Sequence, residues 1–420
     1  MRSAEARDAG QQERVLGFDQ ALETVLEKAH TVRGREPESV DLLASLGRVL
    51  AEPVCADRDQ PAFDRSTRDG YAVRAGETAD GAWLAVVGQV RAGEFWNGSL
   101  QAGSAIEIMT GAPVPAGANA VAMLEHVERD GQRIRLLAAR TLTAGENVVS
   151  RGSEAHEGDE LLSAGTVMGT AAIALAASCG VGRPKVFAKP RVSIVATGDE
   201  LVDLSEIPGP AQIRNSNSYG LAALVAEAGG TPRQLPAARD NLEDLRRAIV
   251  DARKADLLLL SGGVSMGEYD LVEDVLLEMG AEFFFTGVRM QPGKPVVFGR
   301  LPERDGMAEI FFFGLPGNPV STQVTFTCLV EPLLRSMRGA EAGLPCFVYA
   351  SLRHDVDGRA GLTRVLPARL HATRTTAEVE LVVWQGSGDM AANARANCYA
   401  VLPEGIAQFR RGDLITILVK

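Results

Sequence analysis

Three times in the middle of the chain an apolar run of strand length is followed at once by a glycine-bearing polar loop. The runs are RVSIVA (191–196), DLLLL (256–260) and IFFF (310–313), and the loops are TGDEL (197–201), SGGVSMGEYD (261–270) and GLPGNPVS (314–321). Runs without polar alternation are strands buried on both faces. Segments of helical period at 218–228, 242–253, 271–279 and 320–338 supply the crossovers of parallel β-α-β units. In an open sheet of this kind ligands bind beyond the carboxyl ends of the strands, which is where the loops fall. The middle of the chain is therefore predicted to be an α/β domain carrying its site on these loops.

The flanks have a different texture. Phe18, Ala21, Leu22, Val25, Leu26 and Ala29 recur at helical spacing over 18–30, and a second short helix is predicted around 40–50. Short apolar stretches at 83–90, 105–109 and 133–138, split by Gly, Pro and Asn, predict a β-rich insertion. The uncharged run 163–182 has the length of a bilayer span. It is built mainly from small residues, however, and reads better as a packed, Ala-rich helix over 169–178. After a linker-like stretch at 339–345, alternating segments at 378–384 and 414–419 predict a small C-terminal β domain. A chain of 420 residues is too long for one core. The expected division is 1–52 with 150–188 (N-terminal helices and a linking domain), 53–149 (the insertion), 189–338 (α/β) and 339–420 (the last β domain).

A net charge of −11 argues against non-specific binding to nucleic acid or to an anionic membrane, so an anionic substrate would need local basic groups. Five scattered cysteines form no C-x-x-C pair, which reads as reduced thiols in the cytoplasm. Residues 1–14 lack the apolar stretch of a secretion signal. No histidine stands at metal-ligand spacing, and no G-x-S-x-G or Cys/His pairing signals a covalent nucleophile.

The candidate site residues follow from the loops. Gly262 and Gly263 expose backbone N–H groups to a phosphate or pterin oxygen, with Ser265 as a hydroxyl donor, while Asp270 either caps the next helix or faces the ligand. Pro316, Gly317, Asn318, Pro319 and Ser321 form a second loop locked by two prolines before a helix start. Asp199 and Glu200 lie beside the same crevice and, with Asp240 and Asp270, form a set suited to Mg²⁺, although as isolated loop carboxylates Asp199 and Glu200 read more readily as solvated charges. Lys294, in the turn QPGKP, and nearby Arg289 supply local positive charge. In the insertion, the polar loop 64–69 ends in Asp69, and MTGAPVPAGA (109–118) contains Thr110; each alone reads as a turn.

RDGYA, MTGAPVP, TGDEL, SGGVSMGEYD, QPGKP and GLPGNPVS occur here in the order found in the MoeA-type molybdopterin molybdenumtransferases, the family that includes the carboxy-terminal part of gephyrin. The resemblance spans almost the whole chain. It implies a multidomain α/β plus β protein with a central molybdopterin-binding α/β domain, a β-rich insertion, a helical linking domain and a C-terminal β-barrel-like domain. It further implies a cytoplasmic homodimer whose cleft lies between subunits, possible contact with the molybdopterin adenylyltransferase, and neither nucleic acid nor membrane as partner. The implied reaction joins molybdate to adenylylated molybdopterin with release of AMP and needs Mg²⁺. By motif position, Asp69, Thr110, Glu200, Asp240, Asp270 and Lys294 would be catalytic, with Glu200, Asp240 and Asp270 at the metal. Arg364 and Ser387 join the substrate-binding set as weaker matches.

Three positions depart from the family pattern. Gln291 stands where many members carry lysine, Arg68 where methionine is common, and Glu154 in RGSEA where Gly-Glu-Asp is frequent. Two rival readings remain at this stage. One is the adenylylating step or a nucleotide hydrolase on the same α/β domain, against which the insertion argues. The other is a scaffold without catalysis, against which the retained charges argue.

Overall fold

The computed structural model describes residues 14–263 and 271–420. Four strands stand parallel in the order Thr231–Gln234, Arg191–Ala196, Leu257–Ser261 and Ile310–Leu315. Successive residues of the central strand enter different cores, because side chains alternate across a sheet. Leu257 and Leu259 pack with helices Phe18–Ala29 and Ser216–Glu227, whereas Leu258 and Leu260 pack with helices Leu242–Ala252 and Leu271–Glu278. That double burial explains why this run carries no polar alternation. Fully burying each leucine contributes about 1.5–3 kcal/mol.

Six of the seven expected helices form within two residues of their predicted ends, one of them with an addition. The segment 320–338 is a continuous helical run made of Pro319–Thr325, a π turn at Phe326–Val330, and Glu331–Met337. The helix expected over 40–50 does not form. A short 3-10 turn at Leu42–Ser45 occupies its place, and the chain then enters isolated antiparallel bridges, Val49 with Val167 and Leu50 with Val186. Gly47, at a φ of +72°, makes the change of direction.

Two strands that periodicity does not reveal extend the α/β sheet. Val297–Leu301 pairs antiparallel with Ile310–Leu315, and Glu282–Phe285 pairs antiparallel with Val297–Leu301. Phe298 stacks on Phe313 across this edge, with centroids 4.3 Å apart. The strand between them, Gly287–Gln291, leaves the α/β sheet altogether. It pairs with Val15–Gly17 on one side and with Thr363–Ala372 on the other.

Thr363–Ala372 belongs to the C-terminal barrel. In the order Thr363–Ala372, Ala377–Leu381, Phe347–Leu352, Leu414–Val419, Cys398–Leu402, the last strand pairs back with the first and closes the sheet. The insertion has its own six-stranded sheet, ordered Ala120–Met123, Gly70–Val73, Ser104–Ile108, Leu84–Val90, Arg133–Leu136, Val127–Asp130. Among the described residues, no helix is long and apolar enough to cross a membrane, and the Ala-rich run forms only the helix Thr170–Ser178.

Candidate active site

The loops after the parallel strands meet at the carboxyl edge of the sheet. Gly262 and Gly263 have φ values of +92° and +62°, a region that side chains other than glycine rarely adopt. A Cβ on Gly262 would stand 2.6 Å from the Thr197 carbonyl, and one on Gly263 would stand 2.7 Å from Thr197 Oγ1. Glycine is thus required twice, by conformation and by close approach. The Thr197 hydroxyl is buried and has no hydrogen-bond partner among the described residues. Ser265 and Asp270 lie outside the described residues.

The second loop touches the first. A Cβ on Gly317 would come within 3.7 Å of Gly262 Cα. Asn217, near the start of helix Ser216–Glu227, donates from Nδ2 to Ser261 Oγ at 2.9 Å and to the Gly317 carbonyl at 2.8 Å. It ties the two loops together, a role the sequence did not announce. The only local signal was the cluster RNSNS, and its first asparagine, Asn215, caps the helix by accepting from the Ser218 N–H at 3.2 Å. Thr322 holds the second loop from behind, donating to the carbonyls of Pro316 at 2.5 Å and Asn318 at 3.0 Å. Pro316 and Ser321 are buried and do not line the cleft, so Pro316 shapes the loop, while Ser321 does not face the opening.

The carboxylates gather at an adjacent rim. The Ala238 N–H donates to the Ala196 carbonyl at 2.9 Å, and the Asp240 N–H donates to Asp199 Oδ1 at 3.4 Å. These bonds lay the loop after Thr231–Gln234 beside the loop after Arg191–Ala196. Asp199, Glu200 and Asp240 are all exposed there, and the Glu200 carboxylate folds back over Gly198. Among the described residues no three His, Cys, Asp or Glu side chains are close enough to form a ready-made metal cage.

The C-terminal barrel supplies the remaining wall. The Val320 N–H donates to the Ser387 carbonyl at 3.0 Å, and Asn393 Nδ2 donates to Gln323 Oε1 at 2.8 Å. Gly388 and Met390 thereby face Gly262, Gly317, Asn217 and Glu200 across a cleft of about 480 Å³. Ser387 takes part through its backbone.

The basic residues are distributed more widely than expected. Lys294 is exposed and sits on a turn whose Gly293, at a φ of +112°, packs closely on the Thr325 methyl group. Arg364 donates from Nη1 to the Asp357 carbonyl at 2.6 Å, and burial together with neighbouring Arg359 lowers its pKa from the usual guanidinium value. Arg359 in turn donates to Gln291 Oε1 at 3.4 Å, which brings a guanidinium to the position where the family pattern has lysine. Arg289 is not at the cleft. Its side chain reaches Glu404 at 3.7 Å and the Val15 carbonyl at 3.5 Å, because alternation along Gly287–Gln291 turns it to the outer face.

In the insertion, Asp69 precedes the strand Gly70–Val73, and Thr110 follows its antiparallel neighbour Ser104–Ile108. Asp69 Oδ1 accepts from the Thr110 N–H at 2.7 Å and from the Thr110 hydroxyl at 2.8 Å. These two bonds hold the Asp69 carboxyl below its ordinary pKa, the backbone bond being the larger cause. Asp69 of RDGYA and Thr110 of MTGAPVP thus form one exposed polar pair on a buried base that includes Tyr71, Ala72 and Ala112, and the pair does not line the cleft of its own chain.

Comparison with known proteins identifies the family of the chain region by region. The family model "MoeA N-terminal region (domain I and II)" matches residues 16–180, "Probable molybdopterin binding domain" matches 193–336, and "MoeA C-terminal region (domain IV)" matches 349–420. Molybdopterin molybdenumtransferases from Nostoc sp. and Bacillus subtilis are 35% and 34% identical; the alignments cover 91% and 94% of this chain and 89% and 93% of theirs. Two crystal structures of molybdopterin biosynthesis MoeA proteins, one from Pyrococcus horikosii and one from Pyrococcus horikoshii OT3, superpose with TM-scores of 0.76 and 0.80 at 33% and 28% identity. Each superposition covers 97% of this chain, and 99% and 100% of the other. With its three regions matched in order and its relatives aligned over nearly their full length, the chain belongs to the MoeA family, that of the molybdopterin molybdenumtransferases.

Proposed function

We propose that this molybdopterin molybdenumtransferase inserts molybdate into adenylylated molybdopterin with Mg²⁺-dependent release of AMP. The observation that carries the reading is the junction of two glycine loops, tied by Asn217, above a buried Thr197 hydroxyl and beside the Glu200 rim. Backbone N–H groups at such a junction bind phosphate or pterin oxygens without bringing a net charge of their own.

The donor set fits Mg²⁺ by its chemistry. Mg²⁺ takes one or two protein carboxylates and completes its octahedron from substrate and water, and Glu200 with Asp240 offers hard, exposed oxygens without a closed cage. These two would hold the ion, which supplies Lewis-acid neutralisation of the phosphoanhydride. Lys294 and Arg364 do not line the cleft of their own chain; we assign them to neutralising the anionic substrates on their charge and motif position alone. No protein nucleophile is required, since the substrate's dithiolate takes the metal. In keeping with this, Cys179, Cys328 and Cys398 are buried, and no cysteine lines the cleft.

Asp69 and Thr110 are exposed and do not line their own chain's cleft, which is compatible with a homodimer in which the insertion of one copy completes the cleft of the other. Contact with the molybdopterin adenylyltransferase would pass the adenylylated intermediate directly to this cleft. Five cysteines, all free, support a reducing, cytoplasmic location.

The test is reconstitution with adenylylated molybdopterin, Mg²⁺ and molybdate or tungstate, following AMP and cofactor metallation. AMP should appear only with oxyanion and Mg²⁺, and Asp69→Asn and Glu200→Gln should fold normally yet lose insertion. AMP release without oxyanion would favour a hydrolase instead. Substrate binding without AMP release under any condition would favour a scaffold.

A further inference from the structure

A second cavity, of about 540 Å³, lies at the far end of the same helices that wall the cleft. Helix Ser216–Glu227 contributes Asn217 to the cleft and Glu227 to this cavity. The run that begins at Pro319 contributes Pro319 to the cleft and Gln323, Phe326 and Glu331 to the cavity. The barrel closes the other side with Tyr399 and Lys420.

The cavity has two poles of opposite charge. At one, Glu331 is half-buried and Glu227 exposed, and neither accepts a hydrogen bond or forms an ion pair within 4 Å among the described residues. Burial first, and then the neighbouring Glu227, raises the Glu331 pKa above the ordinary carboxyl value, against the smaller opposing pull of Arg338 and Arg335. At the other pole, Lys420 Nζ lies 4.4 Å above the Tyr399 ring and donates to the carbonyl and the side-chain oxygen of Asn393 at 3.0 and 3.1 Å. Burial lowers the Lys420 pKa to about 8. Gln323 uses only its oxygen, accepting from Asn393, so its Nε2 remains a spare donor. Arg338 and Arg335 act on Glu331 only through space, so a ligand amine can still bond its carboxylate directly, and an anion beside the Lys420 ammonium favours its charged form.

We propose that this cavity is a binding site for a small zwitterion of the ω-amino-acid type, its amine at Glu331 and Glu227 and its carboxylate at Lys420 and the Gln323 amide. The methylene chain would lie along the Phe326 and Tyr399 rings. Because the same helices reach the cleft, an occupant stiffens elements that also position the glycine loops.

The test uses the full-length protein without pterin substrate, so its result does not depend on the insertase reading. Glycine, β-alanine, 4-aminobutyrate and 6-aminohexanoate are titrated by calorimetry, with butylamine and butyrate as single-charge controls. At least one amino acid should bind more tightly than either control, with Glu331→Gln and Lys420→Met each weakening it about tenfold or more. Ala223→Gln, on the exposed rim of the cavity, should block it in a chain whose thermal melting is unchanged. The proposal is overturned if no member of the series binds below about 10 mM, if a control binds equally well, or if binding survives Ala223→Gln.

Discussion

Gly262 and Gly263 show how much a loop depends on having no side chain. Gly262→Ala forces a Cβ against the Thr197 carbonyl at a φ of +92°, and strain of this kind costs about 1–3 kcal/mol. Urea denaturation should show a lowered midpoint; a midpoint equal to wild type would mean that the loop yields freely. Asp69 gives a second residue-level prediction. Because the two Thr110 bonds lower its folded pKa below the ordinary 3.8, its contribution to stability is present above that value and is lost as pH falls through the folded pKa. Thr110→Val keeps the backbone bond and removes the hydroxyl bond, so the Asp69 pKa should rise part of the way back toward 3.8, as read by carboxyl NMR titration. The motifs announced which residues matter but not their pairing. Asp69 and Thr110 are brought together by the antiparallel pairing of Gly70 with Ile108, which no local pattern encodes.

Among the elements, helix Ser216–Glu227 does more than its sequence indicated. Asn217→Ala removes both bonds that join the glycine loops, worth about 0.5–1.5 kcal/mol each, and should weaken pterin binding more than it lowers the melting temperature. Equal substrate affinity in the variant would show that the loops hold their positions without it. Helices were legible because their apolar periods are long. Glu282–Phe285, Gly287–Gln291 and Val297–Leu301 were not, since they are short, separated by turn residues, and defined by partners distant in sequence. The failed helix at 40–50 has the same cause: Val49 and Leu50 are held by Val167 and Val186, more than a hundred residues away. The direction of Arg289 was not legible because the strand Gly287–Gln291 was not expected, and strand alternation decides which way its side chain points.

On the scale of the whole molecule, burial divides the five thiols. Cys328 and Cys398 lie in cores, where desolvation pushes the Cys398 thiol up to about 11 and Cys328 higher still, while Cys55 and Cys346 are exposed. A disulfide-exchange reagent should titrate two thiols quickly in the native protein and all five after denaturation; rapid reaction of a third would contradict the packing around Cys179, Cys328 or Cys398. The strand Gly287–Gln291 links distant parts of the chain, joining Val15–Gly17 near one end to the barrel strand Thr363–Ala372. On a ribosome these pieces emerge hundreds of residues apart. The first must therefore wait unpaired through most of translation, and the α/β sheet, whose strands are all made by residue 315, still lacks Val365, Tyr399, Val401 and Leu418 of its main core until the barrel follows. Nascent chains halted between the α/β domain and the barrel would leave the barrel-facing edge of Gly287–Gln291 and part of the main core uncovered, an exposed surface of the kind that chaperones bind.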